Sequence, residues 1–269
     1  MKIKNILKQR LPKPIVQAIK KVRYTKKIRA LTDQSNNDFR GIGHLIDKGD
    51  IVVDIGANMG FYTKFLSEKV GQQGAVYSIE PIPDSFQILS HVKSKLNLIN
   101  VSLLNYAISD ANETVTMEIP IQTSGEENLY EAKITESSTD STHVRTVTVV
   151  TRTIDSLFLQ PGKKISFVKC DVEGHELRCL KGAVSFIKQC NPAWLIEIWG
   201  DLDDTQSTGL TTVNFLKQFG YELYVFDGTQ FRPKNPGEKD INYFFLAESH
   251  VQRLRNQKLL HVKNVNHAN

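Results

Sequence analysis

The chain has 269 residues, 40% of them apolar, ordinary for a soluble globular protein with one full-sized α/β domain and extensions. Three cysteines, Cys170, Cys179 and Cys190, are an odd number without CxxC spacing, which indicates neither a disulfide framework nor a zinc site and fits a reducing, cytoplasmic setting. No apolar run is long enough to cross a bilayer, and the N-terminus lacks the apolar stretch of a signal peptide.

The net charge of +5 divides unevenly. Residues 1–32 hold 11 lysines and arginines and no acid, leaving 23 bases against 29 acids in the rest. A basic arm, residues 1–37, is therefore joined to a mildly acidic body. In the arm Ile3, Ile6 and Leu7, then Ile15, Ile19 and Val22, fall at helical spacing, with Pro12 and Pro14 expected to interrupt the helix. Such a segment suits contact of residues 1–32 with an anionic membrane surface, at the inner face of the plasma membrane, or with an acidic partner. The plainer alternative is a helix packed on the core with its lysines in solvent.

Residues 38–47 read as a short helix leading into the first strand. Ile51, Val52, Val53 and Ile55 then form a continuous apolar block, which suits a strand buried on both faces. After Gly60, Phe61, Phe65 and Leu66 recur at helical spacing. The turn between, Gly56-Ala57-Asn58-Met59-Gly60, lets backbone approach a ligand closely, because glycine has no side chain and tolerates positive φ. Strand, glycine turn and helix open a nucleotide-binding α/β domain.

Ala75 to Ile79 is a second strand ending in Glu80, residues 84–97 a helix with Asp84 as N-cap, and residues 101–105 a third strand. Residues 113–119 and 144–151 alternate apolar and polar positions, as paired half-exposed strands of a small insertion spanning about 113–151. The polar, Ser/Thr-rich run between them, 122–143, is expected as a mobile loop or lid. Residues 165–169 are the fourth core strand, 176–189 its helix, 193–198 the fifth strand, and 210–219 a helix ended by Gly220. A strand pair, 221–226 and 241–246, closes around Asp227-Gly228 and a proline-bearing loop, leaving 249–269 as a polar tail. Alternating strands and helices predict a doubly wound, mostly parallel sheet over residues 38–248.

The glycines sit as G-x-x-x-G, not as the G-x-G-x-x-G of a dinucleotide site, and Asp54 precedes them. A carboxylate there repels a pyrophosphate but pairs with a cationic amino-acid moiety. S-adenosylmethionine has such a moiety and no phosphate. Glu80 is placed to accept both ribose hydroxyls, as the equivalent acid does in dinucleotide folds. Asp54, Gly56, Asn58, Gly60 and Glu80 are therefore cofactor-binding candidates; the bland alternative is an ordinary βα unit with an acidic surface turn.

The stretches VVDIGANMGFYT, YSIEPIPDSFQIL, NYAISD, FVKCDVEGHELRCLKGA with WLIEIWG, and NYFFL together resemble the FkbM-type S-adenosylmethionine-dependent methyltransferases, from Gly49 to Leu246. The resemblance implies a Rossmann-like class I sheet of seven strands in the order 3-2-1-4-5-7-6, the last antiparallel. It also implies S-adenosylmethionine as cofactor and O-methylation of sugar or polyketide-type hydroxyls. In such enzymes the segment after the third strand edges the adenine, which adds Ser109 and Asp110 to the cofactor candidates; a turn-forming Asp110 is an equal reading.

Methyl transfer to a hydroxyl is an in-line displacement in which the sulfonium is already a good leaving group. The protein must orient the acceptor and remove its proton. Asp171, Glu173, His175 and Glu176 cluster in C-D-V-E-G-H-E. His175 has an intrinsic pKa near working pH, but the family pattern varies at that position, which favours Asp171 or Glu173. Asp171, Glu173 and His175 are the catalytic candidates, with a helix-capping Glu173 as the plainer alternative. Asp171, Glu173 and Asp201 offer an all-oxygen metal set, yet no metal is expected. A glycan or glycolipid acceptor is the expected partner. The alternatives are a nucleic-acid methyltransferase using the arm on phosphates and a non-catalytic cofactor-binding module at the membrane. The acidic body and the lack of aromatic residues interleaved in the arm speak against nucleic acid.

Overall fold

Strand residues alternate between the two faces of a sheet, and in the computed structural model this alternation builds two separate apolar layers. The structure describes residues 12–122, 127–135, 143–160, 162 and 164–261. Helices α1 (Lys13–Arg29) and α2 (Asn37–Leu45) precede β1 (Ile51–Ile55), α3 (Phe61–Val70), β2 (Ala75–Ile79), α4 (Pro83–Lys95) and β3 (Val101–Leu104). Then come β4 (Ala107–Ile108), β5 (Thr114–Pro120), a 3-10 turn (Leu129–Glu131), β6 (Lys133–Thr135) and β7 (Val144–Arg152). The chain continues through α5 (Ile154–Phe158), β8 (Ile165–Cys170), α6 (Glu176–Lys181), α7 (Val184–Cys190), β9 (Ala193–Glu197) and α8 (Thr208–Lys217). It finishes with β10 (Tyr221–Phe226), β11 (Phe231–Pro233), β12 (Asn242–Ala247) and α9 (Glu248–Asn256).

The main sheet has the order β11-β10-β12-β9-β8-β1-β2-β3. The strands from β9 to β3 pair parallel, and β12 runs antiparallel to both β9 and β10. Eight strands stand where seven were expected. The extra one is β11, which folds back antiparallel on β10 with Phe226 opposite Phe231. Asp227 makes this return, its Oδ1 accepting from the amides of Thr229 (2.8 Å) and Gln230 (3.0 Å), an Asx turn that frees the chain to reverse.

In β9, Trp194 and Ile196 join the layer with Phe158 of α5, Leu180 of α6, Phe186 of α7 and Leu216 of α8. Ala193 and Leu195 face the other way, with Ile42 of α2, Phe65 of α3 and Leu254 of α9. Helices thus cover both faces, which buries a parallel sheet completely. The chain after β3 forms a second, four-stranded sheet, β4-β7-β5-β6. Arg145 of β7 fastens it to α4, donating to Asp84 Oδ2 at 2.6 Å and to Glu127 Oε2 at 2.9 Å.

Three local expectations change. The helix expected over 176–189 is two helices, the first ending at Gly182 as its C-cap, where a Cβ would stand 2.1 Å from the Ser109 carbonyl oxygen. The expected polar tail begins with α9, whose Val251 and Leu254 are buried. Pro12 and Pro14 start α1 instead of interrupting it, Pro12 as N-cap and Pro14 in the first turn, where the missing N–H costs nothing. One face of α1 packs on α4 and the start of α3: Ile28 is fully buried, Tyr24 meets Phe61 of α3 edge-on at 6.4 Å, and Gln17 donates to the Asp84 carbonyl of α4 at 3.0 Å. Ile3, Ile6 and Leu7 lie outside the described residues.

Candidate active site

The carboxyl ends of β1, β2 and β8 open into one cleft, where ligands bind in open α/β sheets. Its floor is the turn after β1. Gly56 there has φ of 72°, and a Cβ on it would fall 1.8 Å from the carbonyl oxygen of Asp171, so only glycine lets the two loops cross. Glu80 follows β2 into the cleft wall, almost wholly buried. Its two oxygens accept from the amides of Asn58 and Ile82, each at 2.8 Å, leaving further lone pairs for a ligand. Burial raises the Glu80 pKa to about 7, against the pull of those two amides.

The third wall is the loop from Asp171 to His175. Glu173 adopts the left-handed region, φ 53°, as does Asn58, φ 48°. A glutamate there carries strain of about 1–2 kcal/mol, and both residues line the cleft. The carboxyl of Glu173 is raised to about 7, first by burial and then by the charges of Asp171 and Glu197. His175 places Nε2 at 2.9 Å from the buried Ser109 hydroxyl. The roof comes from the second sheet: Met117 of β5, Leu129 and Tyr130 of the 3-10 turn, and Ile134 of β6. The run expected as a mobile lid thus supplies apolar wall where it is described; positions 123–126 and 136–142 lie outside the described residues.

Gly56, Asn58, Glu80, Asp171, Glu173 and His175 accordingly meet in one cleft. The other sequence candidates stand behind it. Asp54 is fully buried beneath the floor; its Oδ2 accepts from the Thr63 hydroxyl at 2.6 Å, and its Oδ1 has no partner among the described residues. Gly60 caps α3, and a Cβ there would press on Leu89 of α4 at 2.8 Å. Past β3 the wall is made by Tyr106, Ala107 and Ile108. Ser109 lies behind them, and Asp110 is exposed, its Oδ1 3.7 Å from the Arg178 guanidinium.

Lys169, unremarked in the sequence beyond ending a strand, is the centre of the charges. Its side chain is buried, with Nζ 2.7 Å from Asp171 Oδ2 and 4.8 Å from the Tyr62 ring centroid. Burial alone would lower its pKa, but the carboxylates of Asp171 and Asp54 outweigh that and raise it. Glu197, at the end of β9, is pushed to about 7 by burial and by Asp171. Asp171, Glu173 and Glu197 bring one oxygen each within 4.8 Å of one another. Glu197, not the exposed Asp201, completes that trio. A lysine inside the apolar run S-F-V-K-C and a glutamate inside W-L-I-E-I-W were the available signals, since charges in buried strands need partners.

The site is a carboxylate-lined cleft at the carboxyl ends of a mostly parallel sheet covered by helices on both faces. A model of the FkbM methyltransferase domain matches residues 54–223, and the chain belongs to that family. It is similar to the hexuronic acid methyltransferase AglP of Haloferax volcanii, with 29% identity over 167 residues. That match takes in 61% of this chain and 62% of the relative, under two thirds of its length. Among solved structures it is similar to an FkbM methyltransferase from Methylobacillus flagellatus, at 15% identity and a TM-score of 0.47, over 83% of this chain and 58% of that one. It is also similar to an O-methyltransferase from Thermotoga maritima, at 13% identity and a TM-score of 0.43, over 80% and 64% of the two chains. Both structures are too distant to bear on the site.

Proposed function

We propose that the chain is an S-adenosylmethionine-dependent O-methyltransferase acting on a hydroxyl of a sugar, a glycolipid or a related small molecule. The observation that carries the cofactor is Glu80: a buried carboxylate, held by two amides at the end of β2 and lining the cleft. It suits a ribose diol, and together with Asp171 and Glu173 it makes the cleft hostile to a pyrophosphate. The chain's residues fit a phosphate-free nucleoside, with Gly56, Asn58 and Glu80 as the groups that would hold it. Asp54, in this reading, acts from beneath through Thr63 and Lys169. Bound S-adenosylmethionine supplies a methyl group on a sulfonium leaving group.

Glu173 is the base we favour among the three candidates. With a pKa of about 7 it is half ionised near neutrality, where a base works best. Asp171 is committed to Lys169 and tunes Glu173 by its charge. His175 is engaged with Ser109 and anchors the loop. Lys169 supplies fixed positive charge beside the acids, and the reading therefore needs no metal. The sugar acceptor is supported by the name of the Haloferax volcanii relative, a hexuronic acid methyltransferase.

Calorimetry tests the cofactor. S-adenosylhomocysteine should bind and NAD should not, and Glu80→Ala should lose about 1.5–3 kcal/mol per charge-assisted hydrogen bond removed. Equal affinity in wild type and variant takes Glu80 out of the site.

A further inference from the structure

We propose that α1 docks the protein on an anionic lipid bilayer through its outward face, the side turned away from α4. Ile15, Ile19 and Val22 recur at i, i+4 and i+7, and they are 46%, 50% and 68% exposed. Three branched aliphatic side chains in one helical stripe are costly to leave in water. The opposite face is already occupied, by Ile28 and by Tyr24 against Phe61, so the core offers these three no further cover.

The charges around the stripe select the occupant. Helix α1 carries Lys13, Lys20, Lys21, Arg23, Lys26, Lys27 and Arg29 and no acid. Lys26 continues the line of the stripe, while Arg23 and Arg29 flank it, all three exposed. Long basic side chains beside an exposed apolar strip lay their methylenes on the hydrocarbon boundary and their charges among anionic headgroups. Each contributes an attraction that falls off within a Debye length, so binding of this kind is weakened by salt. The body, with more acids than bases, is repelled from the same surface, which leaves α1 as the contacting edge. No helix among the described residues is long and apolar enough to cross a membrane, so the docking is peripheral.

The helix also touches the cleft. Tyr24 of α1 stands 3.2 Å, hydroxyl to hydroxyl, from Tyr130 of the cleft roof. Tyr24 is on the face opposite the stripe, so α1 stands between the bilayer and the element that roofs the site.

Co-sedimentation of the full chain with vesicles tests this. Binding is expected to phosphatidylcholine vesicles containing phosphatidylglycerol, and to fall at least about tenfold in pure phosphatidylcholine or in high salt. The triple substitution Ile15→Ser, Ile19→Ser, Val22→Ser should keep the wild-type Tm, since all three side chains are exposed, and lose binding by about tenfold or more. Failure of the wild type to bind the anionic vesicles overturns the proposal. So does wild-type binding by the triple variant, which would place the contact elsewhere, and so does capture by soluble polyglutamate with no capture by vesicles, which would make the partner an acidic protein.

Discussion

Lys169 and Asp171 form an ion pair, Nζ to Oδ2 2.7 Å, at the point where β8 leaves the sheet, and the ammonium end is buried. The same ammonium acts on the buried Asp54 and on Glu197. A charge so placed is held by its partners, and they by it. Lys169→Met should cost about 3–5 kcal/mol in urea unfolding at neutral pH, because it leaves carboxylates buried without a counter-charge. The cost should shrink in acid, where those carboxylates are protonated. A loss below about 1 kcal/mol, the worth of an exposed pair, would contradict the account.

Glu80 gives a pH signature. Its pKa rises from an ordinary 4.5 to about 7 in the folded protein, so the fold holds this proton to a higher pH than the unfolded chain does. Stability is then fully present below the unfolded value and falls as pH rises toward and through about 7, by roughly 2–4 kcal/mol for this group. Glu80→Gln cannot ionise and should flatten that slope. Parallel stability curves for wild type and variant between pH 5 and 8 would show the opposite.

Glu173 is expected to control rate, not cofactor affinity. Methyl transfer should rise as pH increases through about 7, following ionisation of its carboxyl. Glu173→Gln should lower the rate about 10²–10⁴-fold, remove that rise, and leave S-adenosylhomocysteine affinity unchanged. If His175→Ala loses the pH-dependent limb and Glu173→Gln keeps it, the base is His175.

Gly182 tests packing without strain. Its φ is an ordinary −77°, yet a Cβ would stand 2.1 Å from the Ser109 carbonyl oxygen. Gly182→Ala should destabilise by about 1–3 kcal/mol through overpacking and disturb the Ser109–His175 contact. An unchanged Tm would mean that the two backbones part at little cost.

The legible parts of this molecule are those set by local pattern. The apolar block before Asp54, the glycine turn and the acid after the second strand show in the sequence, because a buried strand and a left-handed glycine leave marks on neighbouring residues. What stayed hidden depends on partners distant in the chain. The need for glycine at 182 comes from a carbonyl 73 residues earlier, and β11 from pairing with β10. In α9 only Val251 and Leu254 face the core, too few to stand out from a polar run. The arm divides the same way: its helical period is legible, but which stripe meets α4 is decided by Tyr24 and Ile28 against the body. At the site, the acids were visible one by one, while the buried Lys169 that gathers them was not, since nothing local marks an ammonium as paired.

The most direct test is transfer of labelled methyl from S-adenosylmethionine into a glycan and glycolipid extract, followed by linkage analysis of the labelled product. The account predicts label in a base-stable methyl ether on a sugar hydroxyl, reduced with Glu80→Ala at limiting S-adenosylmethionine and strongly reduced with Glu173→Gln at any cofactor concentration. Label recovered in nucleic acid, in a base-labile ester, or to the same extent with both variants would contradict it.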